Sequence, residues 1–265
     1  MSEGSTRRPS VRPRKRLGQH FLRDGNIIRK IVSQVTPPPG AQVVEIGPGV
    51  GALTGLLLER FPDLIAIEVD ERSVAELIVA YPSLDVRHAD VLTVDWRTFV
   101  ADGRALYVVG NLPYNITTPI LFSLIDDAPG VVEAVLMMQL EVAKRLVAKP
   151  RTKDYGILSV ATQLAATPTL LFKVSRNVFE PKPAVESALV RISFNRRPEP
   201  QPDEVDSRFV RKVIRQAFNQ RRKTLRNSVA VLIPADRALP ERWSASRAEE
   251  LEPREFVELA RFLTP

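Results

Sequence analysis

The chain predicts an α/β fold, a doubly wound sheet of seven strands followed by a small all-helical domain. Three observations carry this expectation. Apolar strand-like runs alternate with helix-like stretches up to about residue 195, the pattern of a sheet wound on both faces. Polar residues recur at four successive strand ends, the edge along which open parallel sheets bind ligands. Past the Pro-rich Arg196-Arg-Pro-Glu-Pro-Gln-Pro202 the apolar spacing turns helical, with Val210, Val213, Ile214 and Ala217 in register. A length of 265 residues with 44% hydrophobic content suits one large and one small domain. The expected division is a disordered basic tail over 1–12, the sheet domain over 13–197, a linker over 198–205 and the helical domain over 206–265.

The elements follow in order. Residues 26–36 read as a helix that Pro37-Pro-Pro-Gly40 stops. Val43-Val-Glu-Ile46 reads as a strand running into Gly47, Gly49 and Gly51, with Ala52 to Arg60 as the helix behind the turn. Glycines there let the backbone turn sharply and approach a ligand closely. Their spacing is G-x-G-x-G, not the G-x-G-x-x-G of a dinucleotide site, and no G-x-x-x-x-G-K-[ST] occurs. A nicotinamide enzyme is therefore disfavoured and a triphosphate cradle excluded. The next run, Leu64-Ile-Ala-Ile67, ends in Glu68, 21 positions after Gly47. That is close to the ~20-residue offset at which an acid meets ribose hydroxyls. Leu84-Asp-Val-Arg-His88 leads to a second acid, Asp90, and Ala105-Leu-Tyr-Val-Val109 leads to Asn111-Leu112-Pro113-Tyr114. Val131 to Gln139, Thr169 to Val174 and Ala188 to Phe194 complete the seven strands.

Asn and Pro are common turn formers, so the tetrapeptide alone permits a plain turn. Past a strand end it also permits chemistry on an amine conjugated to an aromatic ring. The exocyclic nitrogen of adenine is a poor nucleophile because its lone pair is delocalised into the ring. The Asn111 side-chain oxygen and the carbonyl preceding Pro113 can accept both of its N–H bonds. Tyr114 supplies a face on which the base can stack.

Composition excludes several classes. No apolar stretch approaches the ~18 residues of a transmembrane helix, and the basic N-terminus lacks the apolar core of a secretory signal. Without cysteine there is neither a disulfide framework nor a thiolate metal site, and two distant histidines offer no metal cluster. A cytoplasmic, monomeric protein without a bound metal is expected. The net charge of +7 and pI near 9.9 point to a polyanionic partner. Residues 7–30 hold nine basic side chains against Asp24 alone, and residues 208–226 hold eight with no acid. These two segments exceed the excess of the whole chain, so the remainder is net acidic. Arginine outnumbers lysine 29 to 9, and its planar fork suits phosphate.

Five ordered motifs resemble one family, the adenine-N6 dimethyltransferases of small-subunit ribosomal RNA, the KsgA/RsmA group. They are Gly18-Gln-His-Phe-Leu22, Glu45-Ile-Gly-Pro-Gly49 with Gly51 and Leu53-Thr54, Asn111-Leu-Pro-Tyr-Asn115, Phe179-Glu-Pro-Lys-Pro183 with Val185-Glu-Ser-Ala188, and Phe218-Asn-Gln-Arg-Arg-Lys-Thr-Leu-Arg-Asn227. The resemblance implies a Rossmann-like class I methyltransferase sheet with its last strand antiparallel. It implies S-adenosyl-L-methionine as methyl donor, with S-adenosyl-L-homocysteine as product, and 16S ribosomal RNA in a 30S particle as partner. His20 and Leu22 would border the cofactor, and Gly47 and Gly49 would lie in its loop. Glu68 would hold its ribose and Asp90 its adenine. Asn111 would touch both cofactor and target amine, within a catalytic set of Asn111, Leu112, Pro113, Tyr114 and Phe179. Phe179 would stack on the flipped target adenine opposite Tyr114. Arg221, Arg222, Lys223 and Arg226 would meet RNA. His20 stands where many members carry Asn, and Glu186 where Asp is usual. Two alternatives stay open here: a 23S ribosomal RNA methyltransferase of the macrolide-resistance type, and a mainly non-enzymatic assembly factor.

Overall fold

Seven strands form one sheet in the computed structural model, which describes residue 14 and residues 18–100, 103–126, 130–194, 205–220 and 222–264. The strands in chain order are β2 (Gln42–Ile46), β3 (Ile65–Glu68), β4 (Asp85–His88), β5 (Leu106–Asn111), β6 (Val131–Gln139), β7 (Ala166–Val174) and β9 (Ser187–Phe194). Their spatial order is β4-β3-β2-β5-β6-β9-β7. The pairs from β4 through to β6 are parallel, with Ile46 facing Ile67 on one side and Gly110 on the other. The last strand in sequence, β9, is antiparallel. All five residues of β2 are buried, as expected of a central strand covered on both faces.

Chain order runs outward from β2 to β4 on one side and from β5 to β6 on the other, so the sheet reverses between β2 and β5. The carboxyl ends of those two strands therefore flank a crevice, the usual ligand position in such sheets. Over this part of the sheet α1 (Gly25–Val32), α2 (Thr54–Arg60) and α3 (Glu71–Ala80) bury Ile31, Val32, Leu57 and Leu77 against Val43, Ala66, Val109 and Met137. The expected helix over 26–36 ends earlier, at Val32. Ser33 turns its hydroxyl back onto the Lys30 carbonyl (2.8 Å), and two tighter turns follow, Gln34 N to Ile31 O and Val35 N to Val32 O.

A second, two-stranded sheet has no counterpart in the sequence expectation. β1 (Phe21–Leu22) runs antiparallel to β8 (Phe179–Glu180), with Phe21 opposite Glu180 and Leu22 opposite Phe179. The Arg23 N–H continues the pairing to the Val178 carbonyl (2.8 Å).

The chain divides into two compact units, residues 1–140 with 171–192 and residues 141–170 with 193–265. This corrects the expectation of a linear boundary near 197. Residues 141–170 carry most of α5 (Leu140–Leu146) and all of α6 (Ile157–Ala165), and Ala148, Tyr155 and Val160 of this stretch belong to the second core. There Tyr155 and Val160 are buried with Val210, Val213, Ile214 and Ala217 of α7 (Ser207–Asn219) and with Phe256, Leu259 and Leu263 of α10 (Pro253–Leu263). The Tyr155 hydroxyl donates to the Leu251 carbonyl (2.8 Å), and Phe218 stacks on Phe256. The four α7 residues expected on one apolar face are all buried. The expected tail over 1–12 and most of the expected linker, 198–204, lie outside the described residues.

Candidate active site

At the crevice, an open cavity of about 690 Å³ is lined by the Gly18–Leu22 segment, the glycine loop, Glu68 and Val69, and Asn111 through Tyr114. The sequence-expected His20, Leu22, Gly47, Gly49, Glu68, Asn111, Leu112, Pro113 and Tyr114 thus share one cavity wall.

Gly47 leaves β2 at φ +61°, a left-handed conformation that favours glycine. A Cβ there would point into the gap between the two strand ends, 4.0 Å from the Asn111 carbonyl oxygen. Opposite it, the Glu68 carboxylate is 5% exposed. One oxygen accepts the Gly49 N–H (2.9 Å), and the other accepts those of Val69 (2.9 Å) and Asp70 (2.8 Å). Burial raises the Glu68 pKa, and the three backbone bonds oppose the rise. Asp70 behaves oppositely, because the Arg72 guanidinium 2.6 Å away holds its carboxyl down at about 2. A gap that a Cβ would fill, faced by a buried carboxylate with one acceptor position left on the oxygen that takes the Gly49 N–H, fits the amino-acid and ribose ends of a nucleoside-type cofactor. Glu68, Gly47 and Gly49 would hold it.

The Gly18–Leu22 segment lies across this cavity and is tied down at several points. Gln19 Nε2 donates to Asp70 Oδ2 (3.1 Å), Asn111 Nδ2 donates to the His20 carbonyl (3.1 Å), and His20 Nδ1 meets the Pro181 carbonyl (2.7 Å). A carbonyl only accepts, so Nδ1 carries the proton. The His20 ring stacks on Tyr114 at 5.3 Å between centroids. Gly18 permits this approach, since a Cβ there would sit 2.8 Å from Asn115 Oδ1.

In the Asn111–Tyr114 motif, each group has a fixed direction. Donation to His20 fixes the Asn111 amide and leaves its Oδ1 as the acceptor. Leu112 donates its N–H to the Met137 carbonyl (2.9 Å), which fixes the Asn111–Leu112 peptide just ahead of Pro113. Thr117 Oγ1 donates to the Pro113 carbonyl (2.9 Å), and the Tyr114 hydroxyl meets Ser187 Oγ (2.7 Å). Burial pushes the Tyr114 phenol up, against the Ser187 bond, so the ring stays neutral.

Two expected residues stand elsewhere. Asp90 is exposed past the end of β4, where it accepts the Leu92 N–H (2.9 Å), outside the cavity wall. Phe179 is 5% exposed and packs into the main core, where its backbone pairs with Leu22. Three residues gained no role from sequence: Gln19, Ser187 and Glu45. Glu45 is a carboxylate inside an apolar strand, and that contrast is a readable signal. Burial, with Glu68 nearby, pushes its pKa up to about 8, against a 2.7 Å bond from Thr54 Oγ1.

Of the expected basic cluster, Arg222, Lys223 and Arg226 are exposed in the second unit, around α8 (Leu225–Ser228). Buried Leu225 anchors the turn through its N–H to the Ser246 carbonyl (2.8 Å). Arg221 lies outside the described residues. Among the described residues no group of His, Cys, Asp and Glu could hold a metal.

Fold and site together define a Rossmann-like methyltransferase. Residues 11–264 match the family Ribosomal RNA adenine dimethylase, and the chain belongs to that family. It is 49% identical over 254 residues to Ribosomal RNA small subunit methyltransferase A of Salinibacter ruber, covering 95% of this chain and 85% of that one. The protein of the same name from Prosthecochloris aestuarii is 44% identical, with 86% of each chain covered. Among solved structures, a dimethyladenosine transferase from Plasmodium falciparum aligns with a TM-score of 0.75 at 26% identity, covering 92% of this chain and 96% of that one. The 23S rRNA methyltransferase ErmE aligns at 0.65 and 26%, covering 92% and 99%.

Proposed function

We propose that the protein dimethylates N6 of two adjacent adenines near the 3′ end of 16S ribosomal RNA, within a 30S particle in the cytoplasm, acting as a monomer. The carrying observation is the Asn111 amide. Its nitrogen is committed to the His20 carbonyl, so its oxygen is the group offered to a target amine. The Leu112 carbonyl, next to Pro113, is the second acceptor. Two acceptors aimed at the two N–H bonds of adenine draw the nitrogen toward tetrahedral geometry and free its lone pair. S-adenosyl-L-methionine supplies an already activated methyl group and a neutral leaving group, so no strong base is needed.

The residues of the chain then position and shield. Tyr114 offers a neutral ring for stacking, worth roughly 1–3 kcal/mol per base in other proteins. Positioning and preorganised hydrogen bonds supply most of the rate. The target base is flipped out or lies in a loop, because a paired base is out of reach. Arg222, Lys223 and Arg226, with Arg221, would track RNA phosphates without reading sequence. The small-subunit names of the relatives favour this substrate over the large-subunit alternative.

The test offers purified protein and methyl donor to small-subunit particles lacking the modification and, separately, to large-subunit particles. The expected result is N6,N6-dimethyladenosine at two adjacent positions in the small-subunit RNA. Methylation confined to the large subunit, or none at all, would overturn the proposal.

A further inference from the structure

We propose that Ser187 is a positioning residue for the target base, and that it matters most for the second of the two methyl transfers. The inference rests on the function proposed above. Ser187 opens the antiparallel strand β9, so it lies at the same edge of the sheet as the carboxyl ends of the parallel strands. Glu186 is fastened there by its carbonyl, which accepts the Leu140 N–H (2.9 Å) just past β6. The Ser187 side chain is fully buried, and its hydroxyl sits 2.7 Å from that of Tyr114. The Tyr114 ring is thus held at its tip by Ser187 and against one face by His20. His20 is in turn held by Pro181. A ring fixed at tip and face has one plane, and that plane sets the plane of a base stacked on it.

The two transfers depend on this ring unequally. An unmethylated amine has two N–H bonds, one each for Asn111 Oδ1 and the Leu112 carbonyl. Once the first methyl group is on and the nitrogen has shed its extra proton to water, a single N–H and a single acceptor contact remain. Stacking then carries a larger share of the alignment, so a looser Tyr114 ring slows the second step more than the first.

Ser187→Ala and Tyr114→Phe each remove one partner of the hydroxyl pair while leaving the ring in place. Single-turnover assays on unmethylated small-subunit particles should show the second transfer slowed roughly three- to tenfold, the worth of one neutral hydrogen bond. The first transfer should change less, so N6-monomethyladenine accumulates. Cofactor affinity should match wild type, the double variant should be no slower than either single one, and Ser187→Thr should restore activity. Wild-type rates in both single variants would overturn the inference, as would effects that multiply in the double variant. Equal slowing of both transfers with a lowered melting temperature would do the same, because it marks Ser187 as merely structural. If Ser187→Ala does not fold, Tyr114→Phe alone decides by the same product ratio. Inactivity of the wild type on these particles would refute the proposed function instead.

Discussion

Replacing Glu68 separates ligand binding from loop support, because its carboxylate serves the glycine loop as well as the cavity. It accepts three backbone N–H bonds at 2.8–2.9 Å while 5% exposed. A hydrogen bond to a charged group contributes roughly 1.5–3 kcal/mol, but three such values do not sum here. Burial of the carboxylate offsets part of the gain, and Val69, 48% exposed, lets water reach the region. A net loss of about 2–4 kcal/mol is expected for Glu68→Ala. At roughly 2–4 °C per kcal/mol for a chain of this size class, melting should fall by about 4–16 °C. Loss of the one further charge-assisted bond that the carboxylate can offer the ribose should weaken S-adenosylmethionine binding by about one to two decades. Glu68→Gln sharpens the test. Its oxygen can keep the Val69 and Asp70 bonds, but its amide nitrogen then faces the Gly49 N–H, donor against donor. Calorimetric affinity should fall nearly as far as in the alanine variant, while most of the melting temperature returns. Unchanged cofactor affinity in Glu68→Ala would refute the assignment of Glu68 to the ligand.

Three further outcomes follow from other residues. Asn111→Ala should collapse single-turnover methylation while RNA affinity stays near wild type, and a wild-type rate would remove the motif from the mechanism. Glu45, pushed up to about 8 from the usual 4.5, keeps its proton in the folded chain across that window and loses it in the unfolded chain. Stability therefore falls as pH rises from about 4.5 to 8, by at most roughly 1.4 kcal/mol per pH unit. Glu45→Gln keeps an acceptor for Thr54 and has no proton to lose, so thermal melts should show it gaining on wild type up to about pH 8; parallel curves would contradict this. Neutralising Arg222, Lys223 and Arg226 together should flatten the salt dependence of particle binding, by up to about 0.7–0.9 in log–log slope per lost phosphate contact. Cofactor affinity should not move, and an unaltered slope with lost thermal stability would show that the cluster is structural.

Much of the sheet was legible because buried parallel strands are continuous apolar runs, and polar groups placed at their ends stand out. Glycine loop, Glu68 and Asn111 converge because β3, β2 and β5 are neighbours with a reversal between the last two, which the order of the motifs implied. What escaped has physical causes. Two-residue strands such as β1 and β8 have no periodicity to detect. The helices α5 and α6 are subsumed in the general strand-and-helix alternation, and periodicity says that a face is buried, not which core buries it. Phe179 reads as a stacking ring from its motif, yet its neighbours Leu22 and Val178 draw it into the core. Ser187 carries no signal of its own until Tyr114 is found beside it.

The pairing of β1 with β8 also bears on when the protein becomes competent during its own synthesis. The glycine loop, Glu68 and Asn111 all precede residue 112, and a nascent chain could arrange them early. The Gly18–Leu22 segment has no β partner until Phe179 and Glu180 emerge, and closing so long a loop is deferred until late in folding. The Gly18–Leu22 segment that closes the cavity is thus made well before its partner and is nearly the last to settle. For the same reason the pair should open locally without global unfolding, and the amides of Leu22 and Arg23 should exchange ahead of those in β2.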